Sequence, residues 1–276
     1  PVKRFLPIDL LQSMQHIKSW CAVAGKKMSE GIGKRFQNET KYTPGSLAGH
    51  TLDFGSMPST FKEYSNPILR IPLTEPKAGG ETNIWKLLVK RRSRREYSTD
   101  RPLKLDDLSL LLWATQGLTA QYGGTFFRTA PSAGALYPVE TYLSVRAVDG
   151  LEEGIYHFRP GKYDLELIRR GSFSARLAEA ALQQSMVLHA QVTFIWSSII
   201  ARGKWKYNQR AYRYVYMDAG HIAQNLYLAG EALGLGICAI GAFYDDHINE
   251  IMGFDGEDET VIYMATVGLR PPDHPI

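Results

Sequence analysis

Cysteine is nearly missing from this chain of 276 residues, which holds only Cys21 and Cys238. Their separation fits neither a metal knuckle nor a redox pair, so two free thiols are expected, as in a reducing cytoplasm. No uninterrupted apolar run approaches the roughly 20 residues that a membrane-spanning helix needs, and the N-terminus lacks the charged-then-apolar pattern of a secretory signal. The chain begins at Pro1, which leaves room for a removed upstream segment. No Gly-x-Gly-x-x-Gly turn follows a strand. Gly230, Gly234 and Gly236 are misspaced and close a helix where the last of them would have to open one, which excludes a doubly wound dinucleotide site. No HExxH or other paired-ligand motif surrounds His157, His189, His221 or His247, so no metal is expected. Without a nucleophile elbow, a Ser-His-Asp triad is excluded as well.

The composition that is present, 44% hydrophobic and 22% charged, suits one globular domain with an extension. The net charge of +4 is too mild to imply nucleic acid, because the basic residues are dispersed apart from one cluster.

Residues 1–80 read as that extension. An amphipathic pattern at Leu10 to Trp20 gives way to polar, Gly/Pro-rich text, and Tyr64 to Pro76 reads as an extended arm on the main body or on a partner subunit. Residues 81–276 read as the main domain. Thr82 is the expected N-cap of a helix that delivers the basic cluster, and Asp106-Asp107 open a second helix that stops at Gly117. Strands are expected over Val139 to Val148, Val192 to Ile200, Leu235 to Ile240 and Val261 to Val267, with a hairpin about Pro160-Gly161. The longest helical pattern runs from about Asn208 to Leu233, with apolar or small residues at Ala211, Val215, Ala219, Ile222, Leu226, Ala229 and Leu233. So wide a stripe marks a central or interface helix. Strands and helices do not alternate regularly, so an α+β fold with a mixed sheet is expected.

The cluster Lys90-Arg91-Arg92-Ser93-Arg94-Arg95 is suited to an anion, since a guanidinium offers a planar fork that matches phosphate and a hydroxyl can take a further oxygen. Cations in the last turn of a helix also complement its dipole, so a solvated basic face is the plain alternative. The run Gly234-Leu235-Gly236 through Gly241-Ala242-Phe243 would let backbone amides approach a flat ligand, or simply form a tight turn and a packed strand. Asp218, His221, Gln224 and Asn225 make a polar row on the long helix, as buried polar groups that pair with one another would.

Four motifs in order resemble the FMN-dependent nitroreductase-like flavoproteins, and among them the SagB-type dehydrogenases that oxidise azolines to thiazoles and oxazoles. They are Arg91-Arg92-Ser93-x-Arg95; Ala130-Pro131-Ser132-Ala133-Gly134-Ala135-Leu136-Tyr137-Pro138; Tyr212-Arg213-Tyr214 with Asp218-x-Gly220-His221-x-x-Gln224-Asn225-Leu226; and the glycine run just described. The resemblance implies a nitroreductase-like fold, a mixed but mainly antiparallel sheet surrounded by helices, dimeric about the long helix. It implies FMN held by Arg91, Arg92, Ser93 and Arg95, by Pro131, Ser132, Ala133 and Gly134 of a second subunit's loop, and by Ile240, Gly241 and Ala242 near the reactive nitrogen. Ordinary nitroreductases add a basic segment near the C-terminus, for which this sequence offers only Arg270.

In the SagB-type branch a Lys-Tyr pair is linked to azoline oxidation, and Lys206-Tyr207 stands at that place, expected on a loop before the long helix. With unperturbed pKa values of about 10.4 and 10, one of the two, lowered by its neighbour, would accept the proton released as a hydride leaves the substrate. The expected function is therefore FMN-dependent oxidation of an azoline-like small substrate, with dioxygen reoxidising the flavin and a cyclodehydratase partner supplying the ring. The alternatives are an NAD(P)H-dependent nitro- or quinone reductase, or a flavin-binding homologue without turnover. A homodimer in the cytoplasm, without nucleic acid or membrane, completes the expectation.

Overall fold

The computed structural model describes residues 31–42, 51–74 and 83–272. The chain divides into two compact units, Pro1–His50 and Thr51–Ile276. In the first, the described residues form helix α1 (Ile32–Glu39), fastened on its surface by an i,i+4 ion pair between Arg35 and Glu39 at 3.2 Å. The amphipathic pattern at residues 10–20, Cys21 and Thr82 lie outside the described residues.

The second unit is built on strands β1 (Leu69–Pro72), β2 (Leu118–Tyr122), β3 (Thr125–Arg128), β4 (Val139–Val145), β5 (Gly154–Arg159), β6 (Asp164–Arg170), β7 (Val192–Ile199), β8 (Leu235–Ile240) and β9 (Glu259–Leu269). Seven of them form one sheet in the order β1-β6-β5-β4-β7-β9-β8, while β2 and β3 make a separate hairpin. Every strand pair is antiparallel. Parallel contact occurs, among the described residues, only as the isolated bridges Ser93 to Ile237 and Leu103 to Val148. The α+β class and the mainly antiparallel sheet are thus as expected. The segment Leu69–Pro72, read as arm, is an edge strand of the main sheet.

The helices are α2 (Ile84–Lys90), α3 (Leu105–Gln116), α4 (Ser174–Ala180), α5 (Met186–His189), α6 (Ile200–Tyr207), α7 (Ala211–Ala232) and α8 (Asp245–Met252). The cap of α2 is Asn83, one residue past the expected Thr82, with its side chain accepting from the Trp85 amide at 2.9 Å. α3 carries Asp106 and Asp107 in its first turn and ends at Gly117, where any Cβ would stand 2.3 Å from the Trp113 ring.

Strand β7 shows why the sheet is central. Its alternating residues are buried on both sides: Phe194 and Trp196 join Leu143, Val267, Leu108, Leu111, Ile222 and Leu226 on one face, and Ile195 joins Met264, Leu177, Val187 and Ile251 on the other. The stripe Ala211, Val215, Ala219, Ile222 and Leu226 of α7 is buried within the chain. What α7 leaves in solvent includes Tyr212, Tyr216 and Met217, and α2 in its own right exposes Ile84, Trp85, Leu88 and Val89.

Lys206 and Tyr207 do not sit on a loop. They form the last turn of α6, which follows β7 without a connecting residue and leads through a short 3-10 turn, Asn208–Arg210, into α7.

Candidate active site

Two groups of motif residues lie at opposite ends of α7. At its C-terminal end, the segment after α2 adds to the outer edge of β8 through the Ser93–Ile237 bridge and an Arg94 N–H to Ile237 carbonyl bond of 2.8 Å. Backbone pairing fixes the segment, so its side chains stay available. Arg92, Ser93 and Arg95 are exposed and Arg91 is half-buried, its guanidinium 5.3 Å from the centre of the Tyr227 ring. Tyr227 ties this group together: its hydroxyl lies 2.9 Å from Ser93 Oγ and accepts from the Ala239 N–H at 2.8 Å. It stands between Leu226 and Leu228, past the polar row of α7, and offers no signal of its own in the sequence.

Arg270 is already engaged, donating to the Leu235 carbonyl at 3.0 Å and to Glu231 at 2.6 Å. Arg92 Nη1 folds back on the carbonyls of Val89 and Arg91. Arg94, the variable position of its motif, has a buried Nε with no hydrogen-bond partner. Burial and the neighbouring charge of Arg270 lower its pKa. Among the described residues, Arg91, Arg92 and Arg95 have no carboxylate ion pair, and beside them Arg94 carries an orphaned donor although Glu231 acts on its charge; such a group fits a phosphate.

The glycine run divides in two. Gly236 lies beneath Tyr97, whose ring an added Cβ would meet at 3.0 Å, and Gly268 on the paired strand lies beneath the same ring, so these are packing positions. Past buried Ile240, Gly241 is open: a Cβ there would come no nearer than 3.7 Å to anything, and Gly241 and Ala242 are exposed. The strand end, not the glycine turn, is therefore the surface on which a flat ligand could lie.

Toward the N-terminal end of α7, the buried carboxylate of Asp218 accepts from Ser132 Oγ at 2.6 Å and from the Ala133 N–H at 3.3 Å. Burial raises the Asp218 pKa, and these two bonds offset it only in part. Ser132 Oγ in turn accepts from the Tyr137 N–H at 3.0 Å. The loop it closes has three residues with positive φ, Gly134 (65°), Ala135 (54°) and Tyr137 (46°), of which only the first is a glycine. Such backbone persists where its surroundings over-determine it.

Gly134 also explains why Lys206 and Tyr207 belong here. An added Cβ would stand 2.6 Å from the Tyr207 hydroxyl and 3.3 Å from Lys206 Nζ, so the ends of both side chains rest on the bare backbone of Gly134. The Lys206 ammonium lies 5.5 Å from the centre of the Tyr207 ring, which packs edge-on against Tyr214 at 4.8 Å. Burial, followed by Tyr214 and Asp218, raises the Tyr207 pKa. Of the two acceptors expected, the phenol is therefore not lowered, and Tyr207 keeps its proton at neutral pH.

A buried charged row that the sequence did not suggest supports this end. His157 Nε2 faces Glu140 at 2.8 Å and Nδ1 faces Glu166 at 3.3 Å, while Arg202 of α6 binds the other oxygen of Glu140 and donates to the Tyr137 carbonyl at 2.8 Å. Burial alone would raise the Glu140 carboxyl, but the His157 hydrogen bond and the charges of Arg202, His157 and Arg128 outweigh it and hold it down to about 2. Glu166 is likewise held to about 2 against its burial, by His157, the Tyr64 N–H, Arg70 and Arg159. Burial would lower His157, and its two carboxylate partners raise it instead.

Among the described residues no group of three or more His, Cys, Asp or Glu could hold a metal ion, and no helix is long and apolar enough to cross a membrane.

An antiparallel sheet with helices on both faces, an open strand end and a cluster of guanidinium groups beside it define an α+β scaffold with a surface suited to an anionic ligand. The nitroreductase family matches residues 88–269, and the chain belongs to that family, whose members are oxidoreductases. It is 43% identical over 172 residues to MJ1384 of Methanocaldococcus jannaschii, a nitroreductase by name, covering 62% of this chain and 85% of that one. It is 27% identical over 231 residues to the trifolitoxin-processing protein TfxB of Rhizobium leguminosarum bv. trifolii, covering 79% of this chain and 61% of TfxB. A crystal structure of a nitroreductase-like chain from Anabaena variabilis superposes with a TM-score of 0.70 at 27% identity, over 86% of this chain and 46% of that one. The chain thus spans less than two thirds of two of these three. The likeness to the trifolitoxin-processing protein supports the SagB-type branch.

Proposed function

We propose that this chain is an FMN-dependent dehydrogenase of the SagB type, acting as a homodimer on an azoline-like ring that a cyclodehydratase partner supplies. The observation that carries the reading is the contact of Lys206 and Tyr207 with Gly134, which joins the pair to the motif loop of the family. FMN, when bound, supplies a two-electron acceptor, and dioxygen is the terminal oxidant. Arg91, Arg92, Ser93 and Arg95 would hold the phosphate and sugar oxygens, and Ile240, Gly241 and Ala242 the edge of the ring system. Pro131, Ser132, Ala133 and Gly134 would serve the site of the second subunit, as their distance along α7 from the arginines suggests.

Oxidising an azoline to an azole removes a hydride from one ring carbon and a proton from the adjacent atom. Because Tyr207 retains its proton, its phenol would hold the substrate by a donated hydrogen bond, while the released proton would pass to Lys206 in its deprotonated amine form, which returns it to solvent.

Purified protein should be yellow and release FMN on denaturation. Lys206→Ala and Tyr207→Phe should keep FMN yet slow anaerobic flavin reduction by a 2-substituted thiazoline by about 100-fold, the scale of a lost proton-transfer group. Wild-type rates in both variants would remove the pair from the chemistry. The identity to MJ1384 favours a second reading, a reductase driven by NAD(P)H. Rapid bleaching of the flavin by NADPH alone, with no response to the thiazoline, would establish it.

A further inference from the structure

We infer that Arg202 is a positioning residue that sets Lys206 and Tyr207 by fastening their helix at once to the sheet and to the Pro131–Tyr137 loop. The inference rests on the reading above, in which that pair handles the substrate proton. Helix α6 has eight residues and no side-chain cap at its start, too short to hold a direction by itself. It follows β7 directly, so its course depends on what grips it from the side.

Arg202 supplies that grip. Its guanidinium, 3% exposed, binds the Glu140 carboxylate on β4 and the Tyr137 carbonyl at the end of the loop. Residues one turn apart lie on one helix face, so Lys206 stands above Arg202, and Tyr207 is the next residue. Their side-chain ends meet Gly134 of the same loop. One cation therefore fixes both partners of the contact, the helix from below and the loop from its far end.

Glu140 is not free to follow a displaced Arg202. Its other oxygen is bonded to His157, which is backed by Glu166, and Arg70 binds Glu166 at 3.0 Å from the edge strand. The row spans β4, β5 and β6, so α6 is referred to the rigid sheet. Gly203, beside Arg202, brings the turn into α7 equally close, since a Cβ there would stand 3.0 Å from Ala211. Arg202 itself touches neither Lys206 Nζ nor the Tyr207 hydroxyl in any recorded bond, which makes its action indirect.

The decisive substitution is Arg202→Lys. Both bonds leave one nitrogen, Nη1; lysine keeps the charge but sets its ammonium on a shorter stem, away from the place that Nη1 takes between carboxylate and carbonyl. In full-length protein loaded with FMN, this variant should bind FMN within about twofold of wild type and slow thiazoline-driven flavin reduction by at least 10-fold, in kcat more than in KM. In FMN-free and loaded protein labelled with 13Cζ-tyrosine, with the Tyr207 line assigned through Tyr207→Phe, that resonance should move and its ionisation should fall toward the ordinary tyrosine value. A second variant, Arg202→Met with Glu140→Gln, removes the two charges of that pair together and should show the same displaced resonance. An unmoved Tyr207 line in a folded variant overturns the inference, as does loss of fold in both variants, which would assign Arg202 to stability alone. If Tyr207→Phe reduces at the wild-type rate, the catalytic reading fails, while the resonance still decides whether Arg202 positions the pair.

Discussion

The two ends of α7 are built on opposite plans. Asp218 and Tyr227 are separated by about 13 Å along the axis at 1.5 Å per residue, and each anchors one motif group. Around Tyr227, backbone pairing on an edge strand carries the structure and the guanidinium groups stand at the surface. Around Asp218, the chain geometry is strained and buried charges hold it. A site that must grip a charged ligand keeps cations such as Arg91, Arg92 and Arg95 out of ion pairs with protein carboxylates. A site that must place two side chains against a bare backbone needs its surroundings locked. Substitutions at the first end should therefore cost ligand and spare the fold, and those at the second should cost fold or turnover and spare the ligand.

The largest effect is expected for Glu140→Ala, which strips Arg202 and His157 of their shared partner and should destabilise the protein by about 3–5 kcal/mol. Urea unfolding would measure it, and a stability equal to that of an exposed substitution such as Arg92→Ala, within about 0.5 kcal/mol of wild type, would break the contrast. Acid should reach the same row. Glu140 and Glu166 fall from 4.5 to about 2 in the folded chain, so their contribution is complete above about pH 4.5 and drains as the pH drops toward 2. For Glu140 that amounts to about 3 kcal/mol at about 1.4 kcal/mol per pKa unit. His157 works with the opposite sign: its raised pKa stabilises below about 6.5 and the contribution is lost as the pH climbs through the folded value. Stability measured across the pH range should peak between these limits, and a profile flat from pH 3 to 8 would remove the row from the fold's support.

At the other end, Arg91→Ala should weaken FMN binding by about 2–3 kcal/mol through loss of a charge-assisted contact, with the unfolding midpoint of FMN-free protein unchanged. Tyr227→Phe sharpens the comparison most finely. It removes the hydroxyl that accepts from Ala239 and meets Ser93, so it should cost about 1 kcal/mol in FMN affinity by titration. A change in stability larger than the change in affinity would show that this end, too, is a structural lock.

The same difference explains what could be read from the chain. Arg91, Arg92, Ser93 and Arg95 were legible because the residue types that bind an anion are adjacent in sequence. The stripe of α7 was legible through its helical period, although the sheet and α3 consume it and the exposed face is another one. Lys206 and Tyr207 are legible as residues but read as a loop, because Gly203 and the lack of a cap hide a helix that Arg202, Trp205 and α7 hold in place. The row Glu140, His157, Glu166 and Arg202 had no local signature: its members come from three strands and a helix and meet only when the sheet is registered. Gly236 misled for a related reason, since the ring that demands the glycine, Tyr97, comes from a distant segment.

Strand order carries a consequence for how the protein is made. β8 touches the sheet only through β9, yet β9 leaves the ribosome after it and must slot in between β7 and β8. Until that happens, β8 has no neighbour in the sheet and offers no fixed edge for Ser93 to join. The segment bearing the arginines is translated well before β4, but it cannot take its final course before the last strand of the sheet has been inserted. Long-range pairing of this kind is slow relative to helix formation. During synthesis, the anion grip is thus the last part to exist, and a nascent chain stopped short of Glu259 would carry every arginine of the cluster with nothing to aim them.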